Sequence, residues 1–225
     1  MTTEEYRAEA LKRNLSVPST PARLFATSIS LVALTGLALQ FAANFSHEPD
    51  VLGTLWELLR FFTIWTNLFC AMIFGALALG RTDIATPSRL GCATIAILLV
   101  GIVYAVLLAG LKPLAGLAII ADFLLHKATP ILVPIGWFVA APKGGLTRRD
   151  PWVWALFPIG YLAYALVRGT QEHLFAYPFL DYEKHGWFHV VAHALVMAAG
   201  FLLVGEALVR LDRRLGRSAT LCPST

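Results

Sequence analysis

Leu58-Leu59-Arg60-Phe61-Phe62-Thr63-Ile64-Trp65-Thr66-Asn67 sits in the middle of an apolar run that extends from Val51 to Leu79. The run is long enough to cross a bilayer as a helix, since the hydrocarbon core needs about 20 apolar residues. Yet its centre carries a cation, two hydroxyls and an amide. A charged group at that depth costs roughly 2.5–3.5 kcal/mol on insertion scales, so it marks a candidate functional site. The reading of this one stretch makes the chain a membrane protein with a polar centre, and the remaining segments are expected to enclose it.

Composition agrees with that class. The 225 residues are 57% hydrophobic and 14% charged, with a mean hydropathy of +0.67. Soluble domains are nearer ~45–50% apolar and ~25% charged. In lipid the backbone must satisfy its own hydrogen bonds, which favours helices, and the alternation of barrel strands is absent. The net charge of +4 is no nucleic-acid signal, because the basic residues gather at the ends of the apolar runs. Cys70, Cys92 and Cys222 are scattered, which argues against a disulfide framework or a cysteine metal site.

The pattern predicts an all-α polytopic protein with six transmembrane helices. A polar tail, 1–20, precedes a membrane domain, 21–211, and a second tail, 212–225, follows it. The six segments are Leu24 to Phe45, Gly53 to Leu79, Leu90 to Leu111, Leu114 to Val139, Trp152 to Val167 and Trp187 to Val209. Pro130 and Pro134 are expected to kink the fourth. A long connection, 168–186, precedes the sixth and is a candidate cover for the site or a surface-lying segment.

Charge sets the orientation. Thirteen basic residues fall on one side: Arg7, Lys12, Arg13, Arg23, Arg81, Arg89, Lys143, Arg148, Arg149, Arg210, Arg213, Arg214 and Arg217. Three fall on the other: Lys112, Arg168 and Lys184. The positive-inside rule then puts both termini in the cytoplasm, with the protein in the cytoplasmic membrane.

This topology brings polar groups on different helices to one depth. If the second segment is one straight helix entering at Gly53, Thr63 lies ~15 Å deep, and His126 on the fourth lies at ~18 Å. Arg60, Thr63 and Asn67 then share a face, with Glu57 one turn above Arg60 to pair with it. Asp122 stands one turn from His126 and is placed to orient its ring. The chemistry this suggests is ester hydrolysis. Thr63 is a weak nucleophile that His126 would activate, and Arg60 or Asn67 would stabilise an oxyanion. Thr66, one turn on, is a rival nucleophile. The plainer reading is that Thr and Asn act as packing glue between helices.

His185, His189 and His193 follow i, i+4, i+8, a spacing that suits a shared metal or haem. They support a non-enzymatic alternative, a transporter or a haem- or metal-binding membrane protein that also uses Arg60 and His126. The leading reading needs no cofactor and takes its lipid substrate from the bilayer.

Four short motifs in order give the chain a resemblance. Arg60-Phe61-Phe62-Thr63, Leu124-Leu125-His126 with Pro134, Tyr177-Pro178-Phe179-Leu180-Asp181, and Leu203-Val204-Gly205-Glu206 together resemble the androgen-induced gene protein family and its bacterial six-helix relatives. The resemblance implies a six-helix integral-membrane threonine hydrolase acting on fatty acid esters of hydroxy fatty acids. It implies Thr63 as nucleophile, His126 as base and Tyr177, Pro178 and Asp181 in a substrate loop. The family's histidine helix carries a second histidine three residues on, where this chain has Thr129.

Overall fold

The computed structural model describes residues 18–47, 49–111 and 113–221, with side chains through Ser218. The first 17 residues of the expected tail and Cys222 lie outside the described residues. Those described form helices and connections, with no strand among them. The helices are α1 (Thr20–Phe45), α2 (Val51–Leu58), α3 (Phe62–Ala78), α4 (Pro87–Leu108), α5 (Leu117–Ala140), α6 (Asp150–Glu172) and α7 (Tyr182–Leu221).

Four of them, α1, α4, α5 and α7, are long and apolar enough to cross a membrane; α2 and α3 make a fifth candidate if taken together. At 23 residues α6 is long enough, but its Trp, Tyr, Pro and Gly residues dilute its hydropathy. The sequence and structure agree on an all-helical protein of membrane-spanning character.

α1 presents a stripe of small residues, Ala22, Ala26, Ser30, Ala33 and Gly36, to α3 and α5. Small side chains let helices approach closely in lipid. A Cβ on Gly36 would stand 2.8 Å from Leu125 Cδ2, so a larger residue there would have to displace the Leu125 side chain. Outside this stripe, Leu24, Leu31 and Leu34 are exposed, as expected of a lipid-facing side. α3 packs on α4, and α4 in turn packs on α5 and α7. Thr86 caps the start of α4 by accepting from Arg89 N, with Pro87 in the first helical position. α6 and α7 pair with each other and meet the rest mainly through α4.

Three expectations need correction. The second segment is not one helix: α2 and α3 meet at 94° across residues 59–61. No Pro or Gly lies in this break. It is held because its backbone groups find partners on other residues. Leu59 O accepts from Trp65 Nε1 at 2.7 Å, Arg60 O from Tyr161 OH at 2.6 Å, and Phe62 N–H donates to Tyr177 OH at 3.0 Å. The depth arithmetic that assumed a straight helix therefore fails, and Arg60 shares no helical face with Thr63 and Asn67. Glu57 pairs with Asn44 instead of Arg60.

The connection before the last helix is also shorter than expected. α6 continues through Glu172, a short 3-10 turn occupies Pro178–Leu180, and α7 begins at Tyr182. Within α7, Gly186 has φ 78°, a left-handed conformation that breaks the helical path where the sixth segment was expected to begin. At its other end α7 runs past residue 211 into the expected tail.

Candidate active site

Thr63 is the second residue of α3, and it faces α5. Its Oγ1 lies 3.2 Å from His126 Nε2. His126 Nδ1 lies 3.1 Å from Asp122 Oδ1, off the line of a straight hydrogen bond. Asp122 Oδ2 accepts from Tyr104 OH at 2.7 Å. The Tyr104 ring stacks on the imidazole, with centroids 4.3 Å apart and planes within 15°. Hydroxyl, imidazole and carboxylate thus stand in series, and an aromatic wall fixes the ring. Thr63 and Asp122 are buried, and the His126 side chain is 18% exposed.

Two helix distortions make this alignment. Residues Leu124–Ala128 of α5 and Tyr104–Leu108 of α4 are π-helical, widened by one residue per turn. Thr129 N–H and Oγ1 both donate to Leu124 O. Pro130 supplies a reason: it has no N–H for the carbonyl four residues back, and its ring crowds that carbonyl. α4 and α5 are close here because Gly101 faces Pro130, where a Cβ would come within 2.8 Å of the proline Cβ. One turn beyond Gly101, Tyr104 reaches His126. Isolated π turns recur at functional sites.

The start of α3 adds polarity around the Thr63 hydroxyl. A helix N-terminus carries about half a positive charge, which favours a developing anion. The Tyr177 hydroxyl, whose oxygen accepts from Phe62 N–H, stands beside the Thr63 and Tyr161 hydroxyls at the wall of the adjoining cavity.

That cavity has a volume of about 500 Å³ and lies among α4, α6 and α7. Thr63, Tyr161 and Tyr177 are polar groups in a lining otherwise made of residues such as Leu99, Val103, Leu156, Met197 and Phe201. Leu156, Ile159 and Leu195 in its lining are exposed at the surface of the bundle.

The other candidate residues take separate places. Asn67 Nδ2 donates to Thr63 O at 2.9 Å and to Leu125 O at 3.3 Å, tying α3 to α5 behind the site. It is a positioning contact, and it leaves no amide proton shown aimed at an oxyanion. Thr66 is fully buried and its hydroxyl has no hydrogen-bond partner among the described residues. Thr129 Oγ1 donates to the backbone Leu124 O at 2.8 Å. Arg60 pairs with Glu172 at 2.7 Å.

Of the expected substrate loop, Tyr177 reaches the site. Pro178 starts the 3-10 turn. Asp181 caps α7, accepting from Lys184 N and pairing with Lys184 Nζ. The rings of His185, His189 and His193 adjoin in series, with centroids 4.9 and 4.2 Å apart and planes tilted by 32° and 42°. Among the described residues no group of three or more His, Cys, Asp or Glu is arranged to hold a metal ion. Tyr104 and Tyr161 had no sequence signal beyond being tyrosines in apolar runs. No family model, no curated protein and no solved structure matches the chain.

Proposed function

We propose that this protein is an intramembrane lipid-ester hydrolase with a Thr63–His126–Asp122 catalytic series, related to the threonine hydrolases that its motifs resemble. One observation carries the reading: the Thr63 hydroxyl lies 3.2 Å from His126 Nε2 at the wall of an apolar cavity large enough for an acyl chain.

The chemistry follows from the geometry. His126, with its Nδ1 proton turned to Asp122, accepts the Thr63 proton at Nε2 as Oγ1 attacks the ester carbonyl. The Tyr177 hydroxyl and the N-terminus of α3 offer positive charge to the oxyanion. Collapse expels the alcohol, which takes its proton from His126, and leaves an acyl ester on Thr63. Water enters, His126 removes its proton, and attack on that ester releases the acid and restores the threonine hydroxyl.

The cavity sets the substrate class. Its lining is apolar and its rim is open on the side of exposed Leu156, Ile159 and Leu195. A lipid can therefore enter sideways from the bilayer, as a fatty acid ester of a hydroxy fatty acid would.

α6, at about 35 Å, is long enough to be the sixth span across ~30 Å of hydrocarbon. With it the protein has six passes through the cytoplasmic membrane and both termini inside, following its basic residues. The test is labelling of detergent-purified protein with a fluorophosphonate probe, alongside turnover of a fluorogenic fatty acyl ester. Thr63→Ala and His126→Ala should lose both signals while Thr66→Ala keeps them. Full activity in folded Thr63→Ala would refute the nucleophile.

A further inference from the structure

A second polar cluster lies at the C-terminal end of α6, and the catalytic series does not use it. Glu172 accepts from Arg60 Nη2 at 2.7 Å, from Arg168 Nε at 2.8 Å and from Trp56 Nε1 at 2.8 Å. The Trp56 ring also lies 4.0 Å from the Arg168 guanidinium carbon. The Arg60, Arg168 and Glu172 side chains are 14%, 3% and 24% exposed. Two cations therefore share one anion in a largely buried setting. Two of their donors, Arg60 Nε and Arg168 Nη2, are buried and have no hydrogen-bond partner. Buried donors are rarely left unmade, and a surplus buried charge calls for a counter-ion.

The cluster also has a fixed relation to the cavity. Tyr161, which lines the cavity, donates its hydroxyl to Arg60 O. From Tyr161 to Arg168 is about 10 Å along α6. An amphiphile with its chain in the cavity would thus bring its head towards the arginines.

We propose that Arg60 and Arg168 form a receptor for the carboxylate of a fatty acyl lipid. A planar guanidinium fork suits a carboxylate, and one surplus positive charge matches one negative head. Resting on the hydrolase reading, this arginine pair holds the free acid end that a fatty acid ester of a hydroxy fatty acid carries and selects it over a neutral ester or glyceride.

The receptor can be tested without turnover. Thr63→Ala protein in a non-ionic detergent at pH 8 is titrated with palmitate or methyl palmitate, and its melting temperature is followed. At a tenfold excess over Kd, palmitate should raise Tm by about 3–6 °C, and methyl palmitate should not. Adding Arg60→Gln or Arg168→Gln abolishes the shift. Each leaves Glu172 one arginine, a neutral pair, so folding should survive. Glu172→Gln, which doubles the surplus charge, should keep or enlarge the shift and serves if an arginine variant does not fold. Equal shifts with both lipids, no shift, or a palmitate shift that survives in both arginine variants overturns the proposal. Failure of the hydrolase reading appears separately, as absence of Thr63-dependent turnover in the wild type.

Discussion

Replacing Asp122 by Asn keeps the shape of the side chain and changes what it can accept. In the wild type Asp122 accepts from Tyr104 OH on Oδ2 and faces His126 Nδ1 with Oδ1; in the proposed mechanism the imidazole carries its proton on Nδ1 and offers a bare Nε2 to Thr63. In the variant the single amide oxygen is claimed by Tyr104 OH, the shorter contact at 2.7 Å. The amide NH2 then turns to Nδ1, which must accept. The imidazole proton moves to Nε2, where it faces the hydroxyl that needs deprotonating. A carboxylate that fixes a catalytic histidine's tautomer contributes up to ~10⁴ in kcat. The off-line approach of Asp122 lowers that to roughly 10²–10³, or about 3–4 kcal/mol of transition-state stabilisation. KM should change little, because Asp122 is absent from the cavity lining. The assay is steady-state hydrolysis of a fluorogenic fatty acyl ester by purified protein. If Asp122→Asn keeps kcat within threefold of wild type while Thr63→Ala is inactive, Asp122 does not orient the base and the series ends at His126.

Gly101→Ala places a methyl 2.8 Å from the rigid Pro130 ring; the resulting separation of α4 from α5 should cost about 1–3 kcal/mol, measurable as a lowered melting temperature, with a parallel loss of turnover as Tyr104 leaves His126. Burial lowers the pKa of the Lys143 ammonium from 10.5 to about 8. Between those values the unfolded chain holds a proton that the folded chain has released, so stability should climb with pH across that window; Lys143→Gln should flatten the slope in thermal melts at pH 7.5–10.5. Single cysteines at Ser46 and Gly145, on a background with Cys70, Cys92 and Cys222 replaced, should label with an impermeant maleimide from outside and only after lysis, respectively; the reverse pattern would invert the proposed orientation.

Much of this arrangement was legible in the residues, for definite reasons. Long apolar runs identify helices in lipid because hydrocarbon leaves the backbone no other partner. Spacing of four along one helix sets Asp122 beside His126, and that contact is present. Spacing also suggested that Arg60, Thr63 and Asn67 form one face, and there it failed, since nothing local in Leu59-Arg60-Phe61 ends a helix. The break depends on Tyr161 and Tyr177, about 100 residues away in sequence. Likewise Glu57 is the nearest acid to Arg60 in sequence, yet Glu172 is its partner in space. Periodic patterns report contacts within an element, and these partners lie on other elements.

The irregular backbone is where the chemistry gathers. A straight helix through residues 51–79 would bury the Thr63 amide in hydrogen bonds four residues back and give the hydroxyl no special field. Ending α2 at Leu58 and restarting at Phe62 turns the same threonine into the second residue of a new helix, at its positive pole. The widened turn around His126, which Pro130 favours, comes from the other side, and Gly101 admits Tyr104 to stack on the ring. Each departure from ideal helix forfeits local hydrogen bonding, and each is offset by a side-chain partner across the bundle: Trp65, Tyr161 and Tyr177 at the break, and Thr129 at the widened turn. If these were only packing defects, Tyr161→Phe would cost stability alone. If they hold the Thr63 hydroxyl at a helix start, that change should also lower kcat on the acyl ester at a temperature where the variant remains folded.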